Sequence, residues 1–208
     1  MSAKSFTDIV VIAGPSGSGK GTVISCLPDN FKKAVSATTR TIRPGERENI
    51  DYFYITKEAF EDLIKNNGLV EWNQYGSDFY GTPSKQIDDI RAAGNIAILD
   101  IDVNGARNIK KMFPEATLIF LIVSSAVEQR ERLRGRNSDS EQKIAQRIET
   151  TRKELAEIGM FDRVYINRSG KVNETAQAIL DYLAGEESPS ADINELVEHY
   201  FDGYVSAV

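Results

Sequence analysis

Four short apolar runs set the framework of this chain, at residues 9–13, 96–101, 117–123 and 163–167. Each run is rich in β-branched residues and lacks alternation with polar positions, which is typical of parallel strands covered on both faces. Stretches with helical periodicity lie between them, for example at residues 57–66, 85–93 and 141–157. Alternating strands and helices predict an α/β fold with a parallel sheet and helices on both of its faces.

Three segments depart from this alternation. Residues 36–89 hold strand-like stretches at 38–43, 51–55 and 69–73 and an aromatic, glycine-rich stretch at 75–81, so we expect a small mixed sheet inserted into the core. Residues 127–158 are highly charged and interrupted at 135–140, which predicts two helices joined by a polar elbow. Beyond Gly185, a linker at 186–190 and a short amphipathic stretch at 193–200 suggest an extension whose removal leaves the protein folded and active.

A glycine-rich segment follows the first apolar run and precedes a predicted helix at residues 22–27. It consists of Gly14, Pro15, Ser16, Gly17, Ser18, Gly19, Lys20, Gly21 and Thr22. Glycines allow successive backbone N–H groups to face one anion, and the helix N-terminus adds a partial positive charge. Lys20 can then reach the β- and γ-phosphates of a nucleotide. The whole segment is therefore a candidate ATP-binding phosphate loop (P-loop), and the fold is expected to be of the P-loop NTPase type.

Two observations bear on that interpretation. A glycine-rich surface turn is the plainer alternative, but it does not account for the strand, the spacing and the lysine together. Gly21 stands where the P-loop pattern usually has the serine or threonine that ligates Mg²⁺, and Thr22 follows it. This Gly-Lys-Gly-Thr variant is typical of small-molecule kinases, so it favours nucleotide phosphorylation over a GTPase switch.

The strand predicted at 96–101 carries Asp100 near its end, with Asp102 just after it. A carboxylate at the C-terminal edge of a sheet, beside a P-loop, can hold Mg²⁺ directly or through water. An aspartate that ends a strand can also serve as a turn or helix cap. The P-loop upstream makes Asp100 the candidate metal-binding residue.

Composition and charge narrow the function classes. The 208-residue chain has a formal net charge of -6, which argues against a general nucleic-acid binder. Cys26, the only cysteine, is expected as a small buried thiol on the first helix and cannot form an internal disulfide. The only histidine, His199, lies in a polar segment, which excludes hydrolases with a histidine base and histidine–cysteine zinc sites. No apolar run has the length of a signal peptide or membrane span, so we expect a cytoplasmic protein that binds no membrane.

Several sequence blocks resemble the guanylate kinase family, and the resemblance runs from Ile9 to about Ala184. The blocks are residues 36–46 (Ser-Ala-Thr-Thr-Arg-Thr-Ile-Arg-Pro-Gly-Glu), 51–52 (Asp-Tyr), 68–72 (Gly-Leu-Val-Glu-Trp), 80–82 (Tyr-Gly-Thr), 132–136 (Arg-Leu-Arg-Gly-Arg) and the single Arg147. Such blocks in the right order are far more specific than any single motif.

The resemblance implies an enzyme that phosphorylates GMP, and dGMP, with ATP as donor and Mg²⁺ as cofactor. By resemblance, the GMP phosphate is contacted by Ser36, Arg40, Arg43, Tyr52 and Tyr80, and guanine is read by Glu71, Thr82 and Asp102. The implied catalytic cations are Lys20, Arg132, Arg136 and Arg147. The chain then divides into a core (1–35, 90–126 and 159–184), a GMP-binding insertion (36–89), a helical lid (127–158) and a C-terminal extension (185–208), and its oligomeric state stays open.

The chemistry of a carboxylate at Glu71 agrees with guanine as the ligand. Guanine presents N1–H and the 2-amino group as adjacent donors, and a carboxylate only accepts hydrogen bonds. Adenine would direct the N1 lone pair at the carboxylate, and a buried acid left unpaired costs about 1–3 kcal/mol or more. The transfer needs no general base, because the GMP phosphate oxygen is already an anionic nucleophile.

Departures from the family pattern are few. Asn49 and Asn137 stand where the family usually has glycine, and asparagine is the non-glycine residue that best tolerates a left-handed backbone. Asn73 and Ser77 also vary, and the sequence assigns them no role.

Two other functions are alternatives. The first is an inactive guanylate-kinase-like module that binds proteins, and the intact P-loop and GMP arginines argue against it. The second is a kinase of the same fold that acts on a phosphorylated sugar. The blocks at 68–72 and 80–82 argue against that function, because a sugar offers no guanine edge.

Overall fold

A parallel sheet forms the centre of the computed structural model, which describes residues 8–135 and 139–205. Its five strands are β1 (Ile9–Ala13), β2 (Phe31–Lys33), β7 (Ile96–Asp100), β8 (Thr117–Ile122) and β9 (Arg163–Ile166), in the order β2-β7-β1-β8-β9. Every neighbouring pair is parallel, which confirms the predicted α/β core. Strand β2 was not predicted, because this short edge strand exposes Lys32 and Lys33 and has no continuous apolar run.

A second, mixed sheet of four strands comes from the middle of the chain, as expected. Its strands are β3 (Ala37–Thr38), β4 (Phe53–Tyr54), β5 (Leu69–Tyr75) and β6 (Asp78–Pro83), in the order β4-β3-β6-β5. The pair β3–β4 is parallel, whereas β6 is antiparallel to both β3 and β5. Strands were predicted at 38–43 and 51–55, but β3 and β4 are only two residues long each. The chain leaves the mixed sheet after Thr38 and enters a loop that contains Pro44, which has no N–H to pair with another strand.

Eight α-helices and one short 3-10 helix (Ile158–Met160) surround the two sheets in the described part of the chain. The α-helices are α1 (Lys20–Ile24), α2 (Lys57–Lys65), α3 (Ser84–Ala92), α4 (Val103–Met112), α5 (Ala126–Gly135), α6 (Glu141–Leu155), α7 (Val172–Leu183) and α8 (Ile193–His199). The 3-10 helix follows α6, the last of the six α-helices that precede β9. The helices predicted at 57–66, 85–93 and 141–157 are confirmed to within two residues at each end. None of the described helices is long and apolar enough to cross a bilayer.

The predicted helix at 22–27 is corrected. Helix α1 begins two residues earlier, at Lys20, and ends at Ile24. Its N-cap, Gly19, has a left-handed backbone with φ 87°, a conformation that glycine adopts without steric cost. Cys26 therefore lies in the turn after α1, where it is only partly buried, and not on the helix as expected.

The two faces of the parallel sheet bury separate sets of side chains, as the period of two in a strand requires. Ile9 and Val11 of β1 pack with α3, α4, α5, α6 and α8 on one face. Val10 and Ile12 pack with α1 and α7 on the other face. This two-sided burial explains the continuous apolar runs in the sequence.

Side-chain caps fix where several helices begin. The Thr56 hydroxyl accepts a hydrogen bond from the Ala59 backbone at the start of α2. Asp102 caps α4 in the same way, with the N–H of Gly105 2.7 Å from its Oδ1. Such caps contribute about 0.5–2 kcal/mol each. The cap at Asp102 also fixes that carboxylate directly beyond the end of β7.

The segment beyond Gly185 packs on the core. The Ala191 N–H donates to the Val164 carbonyl of the edge strand β9 at 2.8 Å. Leu196 is 6% exposed and Tyr200 is fully buried. The Arg152 guanidinium of α6 lies 3.9 Å from the centre of the Phe201 ring. This packing argues against the expectation that the segment can be removed without loss.

Removal of residues 186–208 is expected to destabilise the protein, because burying a large apolar side chain contributes about 1.5–3 kcal/mol. Loss of both Leu196 and Tyr200 should lower Tm by roughly 10 °C, at about 2–4 °C per kcal/mol for a domain of this size. Thermal unfolding measured by circular dichroism checks this. A chain ending at Tyr204 is the control and should keep the full Tm. An unchanged Tm in the longer truncation would contradict the packing described here.

Candidate active site

A cavity of about 600 Å³ lies where the carboxyl ends of the central strands meet the mixed sheet. Its lining comes from the core (Gly14, Ser16, Lys20, Asp100, Ile101 and Asp102), from the mixed-sheet segment (Ser36, Arg40, Arg43, Tyr52, Glu71, Asn73, Asp78, Tyr80 and Gly81) and from α6 (Arg147, Thr150 and Glu154). The carboxyl end of a parallel sheet is where ligands of α/β proteins bind. One cavity thus joins residues that are up to 140 positions apart in the sequence.

The P-loop runs from the end of β1 into α1. Gly14 has φ 140°, and a Cβ there would lie 2.0 Å from the Leu121 carbonyl oxygen, so the close passage of the loop over β8 requires glycine. The Lys20 Nζ donates to the Gly14 carbonyl at 2.7 Å, which folds the lysine back along the loop. The Asn167 side chain donates to the Ser18 carbonyl at 2.8 Å and anchors the loop from below.

Only part of the predicted ATP-binding set lines the cavity directly. Gly14, Ser16 and Lys20 do so. The other candidates, Pro15, Gly17, Ser18, Gly19, Gly21 and Thr22, are not among the lining residues, and Ser18 is fully buried while Thr22 is exposed. Pro15 has no backbone N–H, and the Ser18 N–H donates to the Pro15 carbonyl at 3.2 Å. The backbone N–H groups of the remaining four residues stay the predicted phosphate donors.

Asp100 lies at the end of β7 between two lysines. Its Oδ1 is 4.0 Å from the Lys20 Nζ and its Oδ2 is 3.7 Å from the Lys33 Nζ. No cluster of three or more potential metal-ligating side chains occurs within residues 8–135 and 139–205. A single carboxylate beside a phosphate cradle still fits Mg²⁺, which keeps several waters and binds one or two carboxylates plus substrate phosphates.

Arg40 is held rigidly at the cavity wall. Its two terminal nitrogens donate to the two Glu46 carboxylate oxygens, both at 2.9 Å, and its Cζ lies 5.5 Å from the centre of the Tyr52 ring. The forked hydrogen bond to Arg40 lowers the pKa of Glu46 to about 2, and the same pairing raises the pKa of Arg40. Both groups are therefore charged at neutral pH.

The turn that follows this pair contains Asn49, which has φ 64°. The prediction that asparagine takes over the left-handed glycine position is confirmed there. Asn137, the second such position, lies outside the described residues.

Two tyrosines form the adjacent part of the wall. The rings of Tyr52 and Tyr80 meet edge to face with centroids 5.9 Å apart. Burial, with a further contribution from the Asp100 carboxylate, raises the pKa of Tyr52 to about 12. The phenol therefore stays protonated and can donate to an anion. Arg43, further along the loop, lines the cavity from an exposed position.

Glu71 lies at the opposite end of the cavity, on β5, and is 7% exposed. It pairs across the strands with Thr82 of β6, whose hydroxyl donates to the Glu71 Oε1 at 2.7 Å. Burial raises the pKa of Glu71 to about 7, with the hydrogen bonds from Thr82 opposing the rise and the Asp102 charge adding to it. Thr82 is fully buried behind this carboxylate, and its hydroxyl also lies 3.1 Å from the Ser36 hydroxyl.

Asp102 completes this acidic end of the cavity. While its Oδ1 caps α4, its Oδ2 accepts a hydrogen bond from the Asn73 side chain at 3.1 Å. Asn73 was not predicted as a site residue, because this position falls outside the family blocks. Gly105 leaves room for the Glu71 carboxylate, since a Cβ at residue 105 would lie 3.0 Å from the Glu71 Oε2.

Of the predicted catalytic arginines that the structure describes, Arg147 lines the cavity and Arg132 does not. The Arg147 Nη1 on α6 donates to the Ser16 hydroxyl at 3.0 Å, and its Nε lies 3.1 Å from an Asp139 carboxylate oxygen. Arg132 on α5 does not line the cavity; its Nη2 donates to the Asn167 carbonyl at 2.6 Å and to Glu128 at 2.7 Å. Arg136 lies outside the described residues.

Two lining residues on α6 were missed by the sequence analysis. Thr150 and Glu154 lie three and seven positions after Arg147, so helical spacing is the signal that could have found them. Burial raises the pKa of Glu154 to about 7, and the nearby Lys20 charge opposes the rise.

The fold and the cavity define a class of protein. A P-loop at the carboxyl edge of a parallel sheet, facing arginines across one cavity, is the arrangement of a nucleotide kinase, which works by positioning and charge neutralisation. The buried carboxylate at the far end offers a base-recognition site for the acceptor nucleotide.

Comparisons with known proteins identify the family. Residues 7–186 match the family model described as guanylate kinase. The chain is 38% identical over 183 residues to the guanylate kinase of Prochlorococcus marinus, covering 86% of this chain and 98% of that protein. The crystal structure of guanylate kinase from Anaplasma phagocytophilum superimposes with a TM-score of 0.68 at 28% identity, covering 91% of this chain and 93% of that one.

The chain therefore belongs to the guanylate kinase family and phosphorylates GMP to GDP. The segment from residue 187 onward lies beyond the part that the family model matches.

The raised pKa of Glu71 predicts that GMP binds less tightly in acid. In the predicted binding mode, the base donates to the carboxylate and lowers its pKa, so protonation of free Glu71 below pH 7 must be reversed on binding. Between pH 8 and pH 6 the Kd of GMP should rise by roughly tenfold, because pH 6 lies one unit below the Glu71 pKa of about 7. Isothermal titration calorimetry of the wild type and Glu71→Gln measures this.

The GMP phosphate also titrates near pH 6, but equally in both proteins, so the difference between their profiles isolates Glu71. Glu154→Gln is the matched control, because its pKa is raised as well, and it should keep the wild-type profile. Parallel profiles for the wild type and Glu71→Gln would refute the assignment.

Proposed function

We propose that this guanylate kinase binds ATP at the P-loop and GMP in the mixed-sheet half of the same cavity, and that the γ-phosphoryl group passes directly between them in line. The observation that carries this proposal is the single cavity, lined at one end by Ser16 and Lys20 and at the other by Glu71 and Tyr80. Its two ends have the chemistry that two nucleotides require, phosphate donors at one and a buried base acceptor at the other.

GMP is placed by its two chemically distinct ends. Glu71 accepts from guanine N1–H and the 2-amino group, while Asp102 lies beside it as a second acceptor. Thr82 acts from behind, because its hydroxyl holds the Glu71 carboxylate in place. The phosphate binds among Arg40, Arg43, Tyr52 and Tyr80, and Ser36 lies between the two ends. Since no residue is assigned to the ribose 2′-hydroxyl, dGMP is expected as a second acceptor.

ATP is placed by the P-loop amides and Lys20. Glycines in the loop allow several N–H groups to face the β- and γ-phosphates, and the lysine adds a mobile charge. Asp100 would hold Mg²⁺, with the phosphates and water as its other ligands. The ion supplies charge neutralisation for the transferring phosphoryl group.

The transfer itself relies on cations and not on a base. The GMP phosphate oxygen is an anionic nucleophile, so no side chain has to remove a proton. Arg147 contacts the P-loop through Ser16, which supports a role for its charge beside the donor phosphates. We assign α5 and α6 as the lid, with Arg132 and Arg136 as further stabilising cations.

Replacement of Lys20 tests the donor half of this proposal. Lys20→Ala should lower kcat by roughly 10²–10³-fold, the usual loss for one charge-stabilising group, while the Kd of GMP stays within about twofold. Lys33→Ala is the matched control, because Lys33 also lies beside Asp100 but does not line the cavity. A Lys20→Ala enzyme with near-normal kcat would refute the donor site, and turnover that persists in excess EDTA would refute the Mg²⁺ requirement.

A further inference from the structure

The C-terminal segment contains a buried residue, Tyr200, that contacts the base of helix α5. Its backbone carbonyl accepts a hydrogen bond from the Ala126 N–H, the first residue of α5, at 2.8 Å. Its hydroxyl donates to the Gln129 Oε1, also on α5, at 3.0 Å. Tyr200 and Gln129 are both fully buried. Burial beside the Glu128 and Glu154 carboxylates raises the pKa of Tyr200 far above its usual value, so the hydroxyl stays a donor.

Gln129 carries this contact to the P-loop. Its Nε2 donates to the Ser16 carbonyl at 2.9 Å. The same amide nitrogen lies 2.9 Å from the Thr151 hydroxyl of α6. The side chain therefore bridges α5, α6 and the loop that faces the phosphates. A buried amide fixed by partners on three sides holds those three elements at set distances.

The hydroxyl of Tyr200 also decides where the single proton of Thr151 goes. The Thr151 hydroxyl has two possible acceptors, the Gln129 Oε1 at 3.2 Å and the Arg147 carbonyl at 3.1 Å. When the Tyr200 hydroxyl donates a hydrogen bond to the Gln129 Oε1, the Thr151 hydroxyl can donate its own hydrogen bond to the Arg147 carbonyl. A buried oxygen without a donor is costly, so loss of the Tyr200 hydroxyl would draw the Thr151 proton back to Gln129.

The last contact of this network joins Arg147 to Ser16, beside the proposed site of the donor phosphates. The Arg147 Nη1 donates to the Ser16 hydroxyl at 3.0 Å, while the Ser16 carbonyl is held by Gln129. Ser16 and Arg147 both line the cavity, whereas Tyr200, Gln129 and Thr151 do not. The mixed sheet that carries Glu71 is not part of this network.

We propose that Tyr200 is a positioning residue for the ATP half of the active site, acting through Gln129 on Ser16 of the P-loop and on the turn of α6 that carries Arg147. The inference rests on the proposed placement of ATP at the P-loop. The Lys20→Ala experiment tests that placement separately, so the two can fail independently.

Tyr200→Phe tests the proposal, because it removes one oxygen and keeps the buried ring. At a temperature well below its Tm, the variant should raise the KM of ATP by about 3- to 10-fold, the effect of one lost hydrogen bond, and lower kcat. The KM of GMP should stay within about twofold. Tyr204→Phe is the control, because it deletes a hydroxyl from the same segment, against Arg130 and outside the network, and it should match the wild type in all three constants.

A double-mutant cycle tests whether the effect passes through Gln129. In the Gln129→Leu background, Tyr200→Phe should cause no further rise in the KM of ATP. It should also recover part of the Tm that Gln129→Leu loses, since the two apolar side chains then pack without an unpaired hydroxyl. A lower Tm in Tyr200→Phe with an unchanged KM of ATP, an equal rise in both KM values, or additive effects of the two substitutions would each overturn the proposal.

Discussion

The burial of the Glu71 carboxylate is the constraint on which the proposed selection of guanine depends. A carboxylate at 7% exposure needs hydrogen-bond donors, and Thr82 supplies them from one side only. Burial disfavours the charged form of this carboxyl group and raises its pKa to about 7. A ligand with two adjacent donors restores the favourable ionised state, and guanine has them. We therefore propose that guanine, by donating to Glu71, offsets the cost of burying this charge.

The parallel sheet brings the P-loop to the same cavity as Glu71. Strands β1 and β7 are neighbours and end at the same edge, so Lys20 and Asp100 lie beside each other. Helix α6 adds Arg147 across the loop, and the C-terminal segment contacts the neighbouring helix α5 through Tyr200. Most residues of the proposed acceptor half come from the separate mixed-sheet segment, and Asp102 joins them from the core.

Much of this arrangement could be predicted from the sequence, because its chemistry is carried by local patterns. The P-loop, the Arg40 loop and the Glu71 block each combine spacing with residue types that have few other uses, and the buried strands have continuous apolar runs. The missed features depend on contacts between distant positions. Tyr200 and Gln129 are 71 residues apart, and Asn73 meets Asp102 across two sheets. Strand β2 has no continuous apolar run, so only its pairing with β7 reveals it.

Discrimination between GMP and AMP is the most direct test of the account. The ratio of kcat/KM for the two acceptors, measured in a coupled assay, should reach up to roughly 10⁴ in the wild type, since a site built to pair a polar edge rejects analogues that lack it. Glu71→Gln replaces one acceptor oxygen with a donor and should narrow this ratio, chiefly through a higher KM of GMP, while Glu154→Gln should leave the ratio unchanged. Equal use of AMP and GMP by the wild type, or an unaltered ratio in Glu71→Gln, would contradict the claim that the buried carboxylate selects guanine.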